Sequence, residues 1–240
     1  MSKSRQSARP ASRRPAAPSD LEARLASDRA KVVESLNDSR EIIPRLDRYV
    51  AALLKWQATS NLIAPSTIPE LWSRHIADSL QLLRLAPEAR HWVDLGSGGG
   101  FPGLVIACAL TDRPGAVVHL VESNMKKAAF LREAVRLTGA PARVHAKRIE
   151  EFVDGFDETV EIVTARALAS LENLFQKAYP LLERGAQALF LKGQDVEAEL
   201  TAATKYWTID AELIPSITDA GGRIVQVRSI EPRVHRPSGI

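Results

Sequence analysis

VDLGSGGGFPG, residues 93–103, is an apolar run that breaks into glycines at 96, 98, 99 and 100 and, after Pro102, at 103. Such a run is a buried strand that leaves its sheet through a tight turn and opens a helix. Glycine is needed where the backbone must turn sharply, or must approach a ligand with no Cβ in the way. Gly98–Gly103 satisfies G-x-G-x-x-G, which admits a dinucleotide-binding reading. Two acids qualify it. Asp94 stands two residues before the first glycine, and Glu122 ends the next apolar run, where a carboxylate can accept both ribose hydroxyls. Asp-x-Gly-x-Gly-x-Gly is the spacing found in methyltransferases that use S-adenosylmethionine (SAM), which has no diphosphate to place at the helix N-terminus. An NAD-dependent oxidoreductase of Rossmann fold would use the same glycines and is the alternative.

The flanking sequence repeats the strand–helix rhythm. β-rich runs at 91–95, 117–121, 142–146, 160–164 and 187–192 alternate with helical stretches at 103–110, 124–138, 170–183 and 195–205. Near-continuous apolar strands separated by helices predict a parallel, doubly wound sheet. Residues 206–213 and 223–230 flank Gly221-Gly222 with no helix between, which predicts an antiparallel pair closing a sheet of seven strands. Residues 21–88 read as a helical cap, and 89–240 as the main domain. In the cap, Ile42, Ile43, Leu46, Tyr49, Val50, Leu53 and Leu54 form one helical stripe that starts near Pro44. Thr67-Ile68-Pro69-Glu70 has the form of a capping box for a further helix carrying Leu71, Ile76, Leu80 and Leu83.

Charge is unevenly spread. The 32 Lys and Arg against 29 Asp and Glu leave a net +3, but residues 1–18 hold five cations and no acid. Residues 19–240 therefore carry 27 cations against 29 acids, and the high isoelectric point belongs to the N-terminal arm. Rich in Ser, Arg, Pro and Ala and without an apolar stretch, residues 1–20 read as a disordered basic arm able to touch phosphate loosely. A single cysteine, Cys108, suits a reducing compartment, and no apolar run reaches membrane-spanning length. A cytoplasmic monomer with no membrane partner is expected. No metal-ligand set is read.

The methyl acceptor is narrowed by chemistry. Attack on pyrimidine C5 needs a cysteine nucleophile, and Cys108 lies among apolar residues of the helix after the glycines, where core packing explains it. Exocyclic amines are commonly held by an Asp/Asn-Pro-Pro-aromatic clamp after the fourth strand, where this chain reads TARALASL (164–171). A ring nitrogen with a free lone pair needs only positioning and electrostatics. Asn61, Arg74, His75 and Asp78 read as a surface hydrogen-bond set, with His75 structural or RNA-contacting. Lys126, Lys127 and Arg132 read as a solvated face, and Lys192 as a candidate for RNA phosphate.

Seven motifs in this order, KWQATSNLI (55–63), RHIADSL (74–80), VDLGSGGGFPG (93–103), ESNMKKAAFLR (122–132), RIEEF (148–152), TARALASL (164–171) and FLKGQ (190–194), resemble the RsmG family, also named glucose-inhibited division protein B. The resemblance spans about residues 38–230. It implies a class I SAM-dependent methyltransferase, a Rossmann-like seven-stranded sheet with an N-terminal helical cap, acting on N7 of one guanine in 16S ribosomal RNA, free or in the small ribosomal subunit. By the same resemblance Gly96 and Phe101 line the SAM pocket and Glu122 holds the ribose. Ile149 and Glu150 border the adenine, and Arg166 stands at the pocket mouth as the one candidate for positioning the reaction. Gly98 and Gly100 complete the cofactor loop.

Overall fold

A computed structural model describes residues 19–36 and 40–233. The basic arm expected at 1–20 therefore lies outside the described residues up to position 18. Ser19 and Asp20 already belong to the first helix, α1 (Asp20–Ser35), where Ser19 and Glu22 form a reciprocal capping box. Next comes α2 (Ile43–Gln57), with Pro44 in its first turn and Ile43, Leu46, Tyr49, Val50 and Leu53 buried, as the stripe predicts.

The segment after α2 departs from expectation. Residues Pro65–Glu70 form a 3₁₀ helix without a side-chain cap. The Thr67 hydroxyl instead donates to the Ala64 carbonyl at 2.8 Å and meets His75 Nε2 at 2.8 Å. Pro69 inside the stretch cannot supply the N–H of a regular turn. A π-helical stretch, Trp72–Ala77, follows, then α3 (Asp78–Leu80) and a 3₁₀ turn, Gln81–Arg84. The π turn widens the backbone where His75 must face inward.

The main domain is one seven-stranded sheet. Its strands are β1 (His91–Leu95), β2 (Val117–Val121), β3 (Ala142–His145), β4 (Ile162–Arg166), β5 (Gln187–Lys192), β6 (Trp207–Pro215) and β7 (Arg223–Pro232). Their order is β3-β2-β1-β4-β5-β7-β6, with β1 to β5 parallel and β7 antiparallel to both β5 and β6. The helices are α4 (Gly103–Ala109), α5 (Met125–Thr138), α6 (Ile149–Asp154), α7 (Leu171–Leu182) and α8 (Val196–Ala203). Of these, α6 has no counterpart in the sequence reading, its six residues being too few for a periodicity to show. Strand β4 sits two residues later than the apolar run suggests and ends on Arg166.

Two hydrophobic clusters sandwich the sheet. Cap helices with α4 and α5 build one, around Leu46, Tyr49, Leu53, Trp72, Leu104 and Phe130. The other, under α6, α7 and α8, centres on Phe152, Leu174, Phe175 and Phe190. β1 pairs with β2 on one side and β4 on the other, so the chain's winding reverses between β1 and β4. A crevice must open there at the strands' carboxyl ends.

Candidate active site

At that crevice a cavity of about 690 Å³ opens, within the usual size of a small-molecule site. One wall is the turn after β1. Gly96, Gly98 and Gly100 all take positive φ (+73°, +53°, +95°), which other L-residues rarely adopt. The two N–H groups of Gly96 and Ser97 donate to the Val121 carbonyl. A Cβ built on Gly98 would meet nothing closer than the Gly96 carbonyl, at 3.7 Å, so its bare face is open. A Cβ on Gly100 would sit 2.8 Å from the Tyr49 hydroxyl oxygen. Gly100 thus serves contact with the cap and does not line the cavity, whereas Gly96, Ser97, Gly98, Gly99 and Phe101 do. From behind, the buried Tyr49 hydroxyl donates to the Gly99 carbonyl.

Asp94 braces the loop and is not exposed to the cavity. Its carboxylate accepts from Thr164 Oγ1 at 3.0 Å and from the Gly103 N–H at 3.2 Å, and burial raises its pKa to about 6. Glu122 is also nearly buried. It accepts from the N–H of Gly98 at 2.9 Å and of Asn124 at 2.7 Å, one on each carboxylate oxygen. Asn124 in turn caps α5, its side chain accepting from Lys126 and Lys127 N–H. Each carboxylate oxygen of Glu122 keeps a second lone pair. The open cradle at Gly98 beside this acid fits a ribose-bearing cofactor.

The opposite wall is built of side chains. Arg166, at the end of β4, donates to His75 Nδ1 at 2.6 Å, to the Arg74 carbonyl at 3.1 Å and to Asp78 Oδ2 at 3.5 Å. Its guanidinium lies 5.0 Å from the Phe101 ring centroid, and the His75 ring stacks on the same Phe101 at 4.9 Å. Because an arginine can only donate, His75 Nδ1 must accept, so Nε2 carries the proton and gives it to Thr67. Burial, with the Arg166 and Arg74 charges, pulls the His75 pKa down to about 3 and keeps the ring neutral. Asp78 also accepts from Thr218 Oγ1 at 2.7 Å and Gln81 Nε2 at 2.8 Å, tying the β6–β7 loop to the cap. His75 and Asp78 are therefore not the surface set that their spacing suggested. They face Arg166, 91 and 88 residues away in sequence.

Other expected residues sit elsewhere. Ile149, at the start of α6, packs partly buried on the second hydrophobic cluster, and Glu150 is exposed on α6, paired with Lys177. Neither lines the cavity, for both lie past the end of β3, and Glu122 does not line it either but reaches its wall through the bond to Gly98. Lys192 does line the cavity, but its ammonium is bound to Glu199 at 2.7 Å and the Ala169 carbonyl at 2.8 Å, which leaves it poorly placed for RNA phosphate. Cys108 is buried in α4, its thiol pushed up to about 12 by burial. No cluster of three or more His, Cys, Asp or Glu suited to a metal occurs among the described residues. Nor is any described helix long and apolar enough to cross a membrane.

A family model described as rRNA small subunit methyltransferase G matches residues 42–225. The chain is 61% identical over 207 residues to the "Ribosomal RNA small subunit methyltransferase G" of Bradyrhizobium sp. strain BTAi1, covering 86% of this chain and 93% of that one. To the protein of the same name from Nitrobacter hamburgensis it is 57% identical, over 89% of this chain and 82% of the other. Among solved structures, an O-methyltransferase from Bacillus cereus in complex with SAH superposes with a TM-score of 0.53 at 16% identity, over 87% of this chain and 100% of that one. The fold is thus that of class I methyltransferases, which displaces the oxidoreductase alternative.

Proposed function

The chain belongs to the rRNA small subunit methyltransferase G family, and on that premise we propose that it moves a methyl group from SAM to N7 of one guanine in 16S ribosomal RNA. One observation carries the choice of acceptor: the side chains around Arg166 that could take a proton are already committed, and the cavity's other carboxylates, Asp195 and Asp219, are solvent-exposed. Neutral His75 is held between Arg166 and Thr67, and Asp78 between Thr218, Gln81 and Arg166. Glu199 holds Lys192. A ring nitrogen that attacks with its own lone pair asks for neither base nor nucleophile, only alignment.

Gly96, Ser97 and Gly98 would hold the cofactor through their backbone, Phe101 would lie against it and Glu122 would accept its ribose hydroxyls, with Ile149 and Glu150 toward the adenine end. When bound, SAM supplies an electrophilic methyl group on a sulfonium. Arg166 is fixed by three acceptors, and its remaining N–H donors are free to meet a purine oxygen on the cavity side. The face of Phe101 and the Nδ1 edge of His75 hold that guanidinium in place. Alignment of this kind can contribute about 7–11 kcal/mol to a transfer. The reading carries with it a monomer working in the cytoplasm.

The test is to map N7-methylguanine in small-subunit rRNA from cells with and without this protein, alongside transfer of a labelled methyl group to 16S rRNA or small subunits in vitro. Loss of one N7-methylguanine on deletion is expected. Unchanged methylation in both assays sinks the reading.

A further inference from the structure

Beside the cavity runs a shallow groove between α2 and α5, lined by Lys55, Trp56, Ala129, Arg132, Glu133 and Arg136. Its charge is one-sided. Arg136 is paired with Glu133 at 2.8 Å, while Lys55 and Arg132 are exposed and reach no carboxylate within ion-pair distance among the described residues. The indole of Trp56 packs edge-on against Phe130 at 5.9 Å between centroids and is partly buried, lining the groove. Nothing in the catalytic reading uses these groups.

Two elements border both the groove and the cavity. Past Trp56 the chain turns back, with the Gln57 side chain bonded to Leu62 and Ile63, and residues 62–64 form the cavity's rim. On α5, Lys127 lines the cavity and Ala129, two residues on and so on another side of the helix, lines the groove. Cations stand at both places, Lys55 and Arg132 in the groove and Lys127 at the cavity. An aromatic face among unpaired cations suits single-stranded nucleic acid, where phosphates meet the cations and a base meets the ring.

We propose that the α2–α5 groove is a docking track for the backbone of the RNA strand whose guanine enters the cavity. Lys55 and Arg132 meet phosphates there, and the exposed side of Trp56 meets a base. The inference rests on RNA being the substrate. It assigns to Lys55, Trp56 and Arg132 a part in holding the strand and none in holding the cofactor.

The decisive variant is Lys55→Glu with Arg132→Glu, both on the exposed side of their helices, with Lys55→Gln and Arg132→Gln as a milder pair. The control is Lys205→Glu with Arg233→Glu, which makes the same change of charge at the opposite, amino-terminal end of the sheet. Wild type and variants are compared for SAM affinity by calorimetry, for KM and kcat on 16S rRNA, and for rRNA binding across salt concentrations. The groove variant should keep its SAM affinity and kcat within about twofold while its KM for RNA rises about tenfold. Its salt slope should flatten by about 1.4, two contacts at about 0.7 each. The control should stay near wild type. Equal losses in groove and control variants would reduce the effect to overall charge and overturn the track, as would an unchanged KM and slope. Normal binding of naked rRNA with loss only on assembled subunits would mean that a ribosomal protein meets this face, also against the proposal. Wild-type protein that leaves rRNA unmethylated overturns the substrate reading itself, before any variant is compared.

Discussion

The carboxyl ends of β1 and β4 lie side by side in the sheet, yet they build their halves of the cavity by opposite means. Beyond β1 the wall is backbone: three glycines in left-handed conformation, steadied by one carboxylate on each side. Beyond β4 it is one long cation, held by groups of the cap, one of which, Asp78, is tied in turn to the β6–β7 loop. The backbone wall is held from no farther along the chain than Tyr49, 50 residues before Gly99, and Val121 and Glu122 just beyond it. A side-chain wall needs the whole fold. Substitutions should fail differently on the two sides, locally and through the cofactor at β1, globally and through turnover at β4.

The sharpest way to break this contrast is Arg166→Ala. It strips His75 Nδ1 and Asp78 of a buried donor, and breaking a buried charged pair costs about 3–5 kcal/mol. Turnover should fall at least about a hundredfold and the urea midpoint should drop, while most RNA binding at low salt remains. Arg166→Lys should recover little, because a point charge cannot reproduce the fork that reaches His75 and Asp78 together. Methylation at the normal rate by either variant would deny β4 its role.

On the other wall, Gly98→Val should leave the fold standing, since the space is open, and weaken SAM binding about a hundredfold by filling the cradle and straining a φ of +53°. Gly100→Ala is the companion. Its Cβ would meet the Tyr49 hydroxyl, so its loss should appear as lowered thermal stability more than as a lost cofactor contact. Identical profiles for the two variants in calorimetry and melting would erase the distinction between them.

Glu122→Gln sharpens the comparison further. An amide oxygen can accept from Gly98 or from Asn124, and its NH₂ then faces the other N–H. A charge-assisted bond to the ribose is worth about 1.5–3 kcal/mol, so SAM should bind about ten- to a hundredfold more weakly. Affinity within twofold of wild type, with the protein folded, would free this acid from the ribose.

The smallest effect is in pH. His75 and His119 are held neutral, with pKa values lowered to about 3 and about 4, chiefly by burial. The unfolded chain takes up these protons near pH 6.5 and the folded chain does not. Their contribution to stability is present above 6.5 and is lost as pH falls toward 4. Asp94, raised to about 6, acts in the opposite sense: its contribution is complete below 3.8 and fades as pH rises through 6. With two histidines against one aspartate, denaturant midpoints should decline from pH 6.5 to 4, and less steeply in His119→Phe. A flat profile would mean that the rings are hydrated in the native state.

The same contrast explains what could be read from the chain. The wall at β1 lies within VDLGSGGGFPG, and its strand, turn and acid are spaced by local geometry, so the fold and half the site were legible there. Strands β1, β2 and β5 fall at the residues the apolar runs mark. Arg166 stood out only through resemblance. His75 and Asp78 resembled a surface set because spacing along one helix carries no information about a strand some ninety residues later. The glycine motif does not tell which glycine faces the ligand and which faces Tyr49, so Gly100 cannot be set apart from its neighbours by sequence. Ile149 and Glu150, carried over by resemblance, stand past the cavity's lining on a helix too short to announce itself, so their part in holding the cofactor rests on that resemblance alone.

The bond from Thr218 to Asp78 closes a loop of 140 residues. Asp78 is made early in synthesis and waits for a partner almost at the end of the chain. The glycine wall can take shape as soon as β1 and β2 have emerged, but the arginine wall cannot be finished until the last hairpin follows. A nascent chain, or one cut short before residue 218, would therefore hold a cofactor cradle without a completed reaction site. Competence to modify RNA arrives last in the order of manufacture.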